Sequence, residues 1–175
     1  MYTREVLIPQ DITAQVAGNF VKIAGQKGSL EKALILAPGM KIEKTEGKIV
    51  ISAESERRKV KAIVGTTAAH IKNMIDGVTK GYIYKLRVCY SHFPITVKVE
   101  KDKVMIQNFL GGRTAKTAQI LGGVQVKVEG SDVAVSGIDL DKVSQTAANI
   151  EQACRIVGFD KKRFQDGIFL FSREG

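Results

Sequence analysis

One pattern occurs twice along this chain, in the same order, and that limits its fold more than any other feature. Ile12-Thr13, Val16, Val21, Ile23 and Gly28 return as Ile95-Thr96, Val99, Val104, Ile106 and Gly111, each pair 83 positions apart. Ile49, Ile51 and Ser52 return as Val133, Val135 and Ser136 at a spacing of 84. Thr67-Ala68-Ala69-His70-Ile71 returns as Thr146-Ala147-Ala148-Asn149-Ile150 at a spacing of 79. Alternating Val and Ile recur in any β-rich chain, but the Thr-Ala-Ala-x-Ile match needs another explanation. A chain of 175 residues has room for one ordinary domain or two small ones. The repeat decides for two, residues 1–81 and 82–175, meeting within Gly77–Tyr82. The connection through Lys80-Gly81 is short, which restricts how the copies can move relative to each other.

Each copy reads as short strands followed by a helix. In the first, Ile12 and Val16 lead through a turn at Gly18-Asn19 to Val21 and Ile23. In the second, Ile95–Val99 and Val104–Ile106 flank Lys101-Asp102. Strands separated by so few turn residues predict hairpins. A later hairpin turns at Glu46-Gly47 in one copy and at Gly130-Ser131 in the other. Its alternation of Val126 and Val128, then Val133 and Val135, predicts one buried and one wet face. Leu140, Val143, Ala147, Ile150, Cys154 and Val157 form a stripe at helical spacing, with Asp139 as N-cap and Gly158 as stop. Val60, Ile63, Val64, Ala68, Ile71, Ile75 and Val78 form the matching stripe, ended by Gly77 to Gly81. The expected fold class is α+β: two tandem copies of a small domain, each a mainly antiparallel sheet covered by one helix. Copies this small bury only about 60–65% of their unfolded surface, which leaves little room for an internal pocket.

Composition narrows the function. Apolar residues make up 44% and charged residues 26%, so wholesale disorder is excluded. No apolar run approaches the roughly 20 residues of a membrane helix, and no membrane partner is expected. Met1-Tyr2-Thr3-Arg4-Glu5 lacks the apolar core of a signal peptide, so a cytoplasmic location is expected. Cys89 and Cys154 are far apart and in no CxxC pair, which argues against a disulfide framework and against structural zinc. The 27 Lys and Arg exceed the 18 Asp and Glu, for a net charge of +9. The two copies carry +5 and +4, so the excess decorates folded faces and is not a tail. It points to a polyanion, although a surface tuned for solubility carries charge in the same way.

Chemistry-bearing motifs are scarce. Cys154 lies on an apolar stripe and reads as a core thiol; Cys89 lies in the strand-like run Tyr84–Tyr90. His70 takes a slot that Asn149 fills in the other copy. His92 precedes Phe93-Pro94 and has no visible companion nucleophile. HExxH, DxDxDG, Walker A and GxGxxG patterns are all missing from the sequence. No catalytic residue, metal, cofactor or small-molecule substrate is therefore expected. Gly111-Gly112-Arg113-Thr114-Ala115-Lys116-Thr117 joins backbone permissiveness to two cations and two hydroxyls, a combination suited to phosphate, or else a plain connecting loop. Gly25-Gln26-Lys27-Gly28-Ser29 is its weaker counterpart, and Gly122-Gly123 brackets the excursion. Arg57-Arg58-Lys59-Val60-Lys61 opens the first helix in a stretch about five residues longer than in the second copy. Asp160-Lys161-Lys162-Arg163-Phe164 follows the second helix, flanked by Phe159, and Arg173 adds a cation near the end. With aromatic residues at 6% and no Trp, recognition of folded RNA by shape and phosphate is expected over base stacking.

Several of these segments resemble a known family. Gly77-Val78-Thr79-Lys80-Gly81-Tyr82, Tyr84-Lys85, Tyr90-Ser91-His92-Phe93-Pro94-Ile95, Asn108-Phe109-Leu110-Gly111 and Asp160-Lys161-Lys162-Arg163-Phe164-Gln165-Asp166-Gly167-Ile168 look like the L six family of large-ribosomal-subunit proteins, in its archaeal and eukaryotic form. The resemblance covers essentially the whole chain. It implies a duplicated α+β domain that binds large-subunit (23S-type) ribosomal RNA near the stalk base and the sarcin–ricin loop, where translation factors dock. It also implies neighbouring ribosomal proteins at the stalk base as partners, and no catalytic residue or cofactor. The bacterial branch ends in a run of the type PYKGKG; this chain has Lys161-Lys162-Arg163 and Arg173 in the comparable region. The second copy is expected to make the main RNA contacts, with Arg113, Lys116, Lys161, Lys162 and Arg163 on phosphate and sugar, and Arg173 beside them. Two alternatives stand. One is a non-ribosomal basic nucleic-acid-binding module. The other is an enzyme acting on a phosphorylated substrate at Gly111–Lys116 with His92 as base.

Overall fold

The structure is a computed structural model and describes residues 2–175; Met1, part of the segment read above for a leader, lies outside them. The chain forms two compact units, the first ending at Gly81 and the second running from Tyr82 to Gly175. In the first, six strands precede one helix: β1 (Tyr2–Leu7), β2 (Thr13–Ala17), β3 (Phe20–Gly25), β4 (Gly28–Ala33), β5 (Met40–Thr45), β6 (Lys48–Ala53) and α1 (Arg58–Thr79). The strands form two antiparallel sheets, β2-β3-β4 and β1-β6-β5. Gly18 and Gly47 turn the two predicted hairpins, at φ of +63° and +75°, where a glycine pays no steric penalty.

The second unit repeats that order and adds a strand. It contains β7 (Tyr82–Cys89), β8 (Thr96–Glu100), β9 (Lys103–Gln107), β10 (Lys116–Gln119), β11 (Val124–Glu129), β12 (Asp132–Gly137), α2 (Leu140–Ala153) and β13 (Gly167–Glu174). A short 3-10 turn, Phe109–Gly111, separates β9 from β10. The sheets are β8-β9-β10 and β11-β12-β7-β13, again antiparallel. The antiparallel strands covered by one helix are thus divided between two small sheets in each copy. In the first copy β1 ends its sheet; in the second, β13 pairs along the corresponding edge of β7.

Matched residues of the repeat are buried alike. Val21 and Ile23 on β3, Ile49 and Ile51 on β6 and Ile71 on α1 are fully buried, as are Val104, Ile106, Val133, Val135 and Ile150. Ala68 and Ala147 are each buried on the helix of their own copy, and the buried Thr146 hydroxyl accepts the Leu121 N–H at 3.3 Å. Glycine lets each helix rest on strand backbone. A Cβ on Gly25 would stand 2.8 Å from Val78 Cγ2, and one on Gly137 would stand 2.8 Å from Val143 Cγ2.

The second helix starts as predicted, with the Asp139 side chain accepting the Asp141 N–H at 3.1 Å. It ends earlier than predicted. Ala153 is its last residue, Gly158 lies beyond it, and Val157 is 78% exposed rather than on the stripe. The last turn tightens, with Cys154 N–H donating to Glu151 O and Arg155 N–H to Gln152 O. From there the chain arches over residues 155–166 to reach the edge of β7, a constraint helical periodicity does not carry. Replacing Ile71 or Ile150 with Ala should each cost about 2–5 kcal/mol, measured by urea unfolding, since both leave a void under a helix.

Candidate nucleic-acid interface

The loop that carries Arg113 is shaped by backbone strain. Asn108, Leu110 and Gly111 adopt positive φ of 61°, 51° and 71°. The left-handed region is costly for the branched Leu110, so its neighbours must hold it there. The Asn108 side-chain amide donates to Pro94 O at 3.0 Å. The Phe93 ring packs over Gly111, where any Cβ would meet it at 3.3 Å. Arg113 is exposed on the stretch that follows, and Lys116 opens β10 with its ammonium 5.2 Å from the centre of the Phe109 ring.

The second cluster is held by one aspartate. Asp160 accepts the Lys162 N–H on its side chain at 3.0 Å, and its carbonyl accepts the N–H groups of Arg163 and Phe164. That turn projects Lys161, Lys162 and Arg163 into solvent. Phe164 stacks on His92 at 4.6 Å and tilts against Phe159 at 5.0 Å. Phe159 is about half exposed, so this ring ladder lies at the surface and not in the core.

The segment Tyr90–Pro94 therefore joins clusters that are about 50 residues apart in sequence. His92 leans on Phe164 beside Lys161–Arg163, and Phe93 leans on Gly111 beside Arg113. Asp166 locks the segment. Its Oδ1 accepts the Ser91 N–H and hydroxyl, both at 3.0 Å, and lies 3.4 Å from His92 Nδ1. Burial pushes the Asp166 carboxyl up, yet the Ser91 bonds and the His92 ring outweigh it and hold the acid below its ordinary 3.8. Sequence reasoning missed this role of Asp166. The only signal was its place in one of the family-like segments.

Arg173 stands apart. It pairs opposite Tyr84 near the far end of β13, with its guanidinium 5.7 Å from the Tyr84 ring. At about 3.3 Å per residue, that is roughly 20 Å along the strand from Gly167. Two cations of the four-stranded sheet are paired instead: Arg87 with Asp132 at 2.9 Å, and Lys85 with Glu174. Among the described residues Arg113, Lys116, Lys161, Lys162 and Arg163 make no ion pair, so their charge is available to a polyanion.

Other candidates have structural employment. The Gly25–Ser29 turn caps α1: the Lys27 N–H donates to Val78 O at 3.0 Å and its ammonium to Lys80 O. Arg57 opens α1 without a side-chain cap, and Lys61 of that cluster pairs with Glu56 at 3.4 Å. Burial pushes the Cys154 thiol up to about 12, against a smaller opposing pull from Lys116. Ser91, His92 and Asp166 do meet, but Ser91 and Asp166 both approach the same ring nitrogen, Nδ1. A relay through the imidazole needs its two nitrogens to serve different partners. A half-open groove of about 680 Å³ lies in this unit, more space than its size predicts, and neither His92 nor Gly111–Lys116 lines it. Among the described residues no three His, Cys, Asp or Glu side chains group as metal ligands, and no helix is long and apolar enough to cross a membrane.

Comparison with known proteins meets this geometry twice. The family model "Ribosomal protein L6" matches residues 8–81 and again 93–167. The chain belongs to the ribosomal protein L6 family. A relative in Ignicoccus hospitalis, named "Large ribosomal subunit protein uL6", is 49% identical, covering 95% of this chain and 92% of the relative. Relatives of the same name in Aeropyrum pernix and Methanocella arvoryzae are 46% and 47% identical, each over 97% of this chain and over 93% and 96% of their own length. Each match to the L6 family falls inside one of the two units, as a duplicated domain requires.

Two outcomes follow from the Phe93 and Asp166 contacts. Gly111→Ala should cost about 1–2 kcal/mol in urea unfolding, because alanine resists the left-handed conformation and meets the Phe93 ring. Asp166 is more acidic folded than unfolded, so its contribution to stability is full above its unfolded pKa and fades as pH falls through the folded one. Thermal melts from pH 6 down to about 2 should lose this contribution below about pH 4 in the parent chain, with a flatter profile for Asp166→Asn.

Proposed function

We propose that the chain is a structural constituent of the large ribosomal subunit in the cytoplasm, holding large-subunit ribosomal RNA through its second copy. The observation that carries this is near-full-length identity of 46–49% to relatives named as large-subunit proteins. Arg113, Lys116, Lys161, Lys162 and Arg163 contact phosphate and sugar, and Arg173 supplies a separate contact at the far end of β13. The mechanism is passive. Two small folded units offer cations to a structured RNA, and docking releases condensed counterions. On this reading the site lies near the stalk base and the sarcin–ricin loop, beside neighbouring ribosomal proteins, and the chain performs no catalysis and needs no cofactor. Support comes from the net charge of +9 and from Arg113, Lys116, Lys161, Lys162 and Arg163, which make no ion pair among the described residues.

The test is RNA binding across a salt series with a large-subunit RNA fragment. The triple variant K161A/K162A/R163A should bind more weakly and flatten the log–log salt slope by about 2–3, while R173A adds its smaller effect independently. Unchanged affinity and slope in the triple variant would remove these residues from the interface. Equal affinity for unrelated RNA or DNA at moderate salt would favour a non-ribosomal module.

A further inference from the structure

The groove noted above lies between the last turn of α2 and the start of β13, and its wall is mostly carbon, from Cys89, Cys154, Ile156, Phe164 and Phe169. Arg155 and Lys161 stand on it, with Glu151 one helical turn before Arg155. Asp166 also contributes to the wall. The Asp166 side chain has no solvent exposure, and among the described residues its Oδ2 has no hydrogen-bond partner, while Oδ1 takes the contacts from the Ser91 N–H, the Ser91 hydroxyl and His92 Nδ1. A buried carboxylate oxygen left without a donor is costly, and a carboxylate can only accept. Whatever completes this site must therefore bring a donor. It must also be flat enough to lie against Phe164 and Phe169, and it must tolerate Arg155 and Lys161, which repel a cationic side chain.

A nucleotide meets all three requirements: a phosphate for the cations, a ring for the aromatic walls and an exocyclic amine for the oxygen. We propose that this groove receives an unpaired nucleobase carrying an exocyclic amine, with the amine donating to Asp166 Oδ2, the ring against Phe164 and Phe169, and the phosphate toward Arg155 and Lys161. The proposal rests on the RNA-binding reading above and adds a base-reading contact to a surface that otherwise reads phosphate. Uracil fits poorly, because its one ring N–H lies between two carbonyl oxygens that a carboxylate repels. The Phe169 ring lies over Gly167, where a Cβ would meet its Cζ at 2.8 Å, and it is 45% exposed, so part of the ring is open to a base.

The experiment is amide NMR of the full chain titrated with GMP, CMP and UMP. Shifts should centre on Cys154, Arg155 and residues 164–169, with GMP and CMP binding at least about tenfold tighter than UMP, as expected for a hydrogen bond to a charged group. F169A, at a half-exposed ring, should weaken all three, and D166N should erase the preference; if D166N does not fold, F169A and the nucleotide ranking carry the test. Equal response to the three nucleotides, or the same shifts from inorganic phosphate alone, would overturn base recognition. Displacement by N-acetylarginine amide would give the groove to a protein side chain and overturn the proposal. A silent groove in a chain that still binds large-subunit RNA overturns this proposal alone, whereas loss of RNA binding by the full chain fails the reading beneath it.

Discussion

A layer of three or four short strands has one apolar face and cannot hide it from water by itself. Everything else in this protein depends on a single helix covering that face in each copy. A fully buried isoleucine or valine contributes about 1.5–3 kcal/mol, and Val21, Ile23, Ile49, Ile51 and Ile71 in one copy match Val104, Ile106, Val133, Val135 and Ile150 in the other. An exposed ion pair contributes about 0–1 kcal/mol. Stability is thus decided in the two small cores, and the surface cations are free to serve something other than folding. Gly25 and Gly137 let the helices close onto strand backbone, which is how so thin a layer still buries its centre.

The copies share a core and differ at one end. In the second, the helix stops at Ala153, and the chain arches through the Lys161–Arg163 turn to add β13 beside β7. That detour brings Asp166 against Ser91 and Phe164 against His92. Phe93 then reaches the strained loop at Gly111. The same detour leaves the aromatic groove between helix and strand. Lys161, Lys162 and Arg163 lie on this detour and Arg113 on the Gly111 loop, and among the described residues none of the four makes an ion pair.

Much of the fold was legible. The hairpin turns at Gly18-Asn19, Glu46-Gly47, Lys101-Asp102 and Gly130-Ser131, the Asp139 cap and both helix stripes follow from period and turn chemistry, which are local properties. The division into two sheets per copy was not legible, because which strands pair depends on contacts across the unit. Nor was the early end of α2, since Val157 keeps helical spacing while the chain has already turned toward β7. At the interface, the residue types at Arg113, Lys116 and Lys161–Arg163 were visible, and the link between them was not. The Gly25–Ser29 turn had phosphate-loop composition and instead caps α1, because its N–H group meets an open helix carbonyl.

Taken by itself, the sequence determined the duplication, the α+β class, the cationic surplus and the turns, for each is written in residue identity and spacing along the chain. Tertiary structure alone decided that Asp166 would hold Ser91, that Phe93 would sit on Gly111, and that Arg173 would pair opposite Tyr84, roughly 20 Å along β13 from Gly167. Those outcomes depend on how β13 registers against β7. Register is set by the meeting of two strands distant in sequence, and no local pattern encodes it.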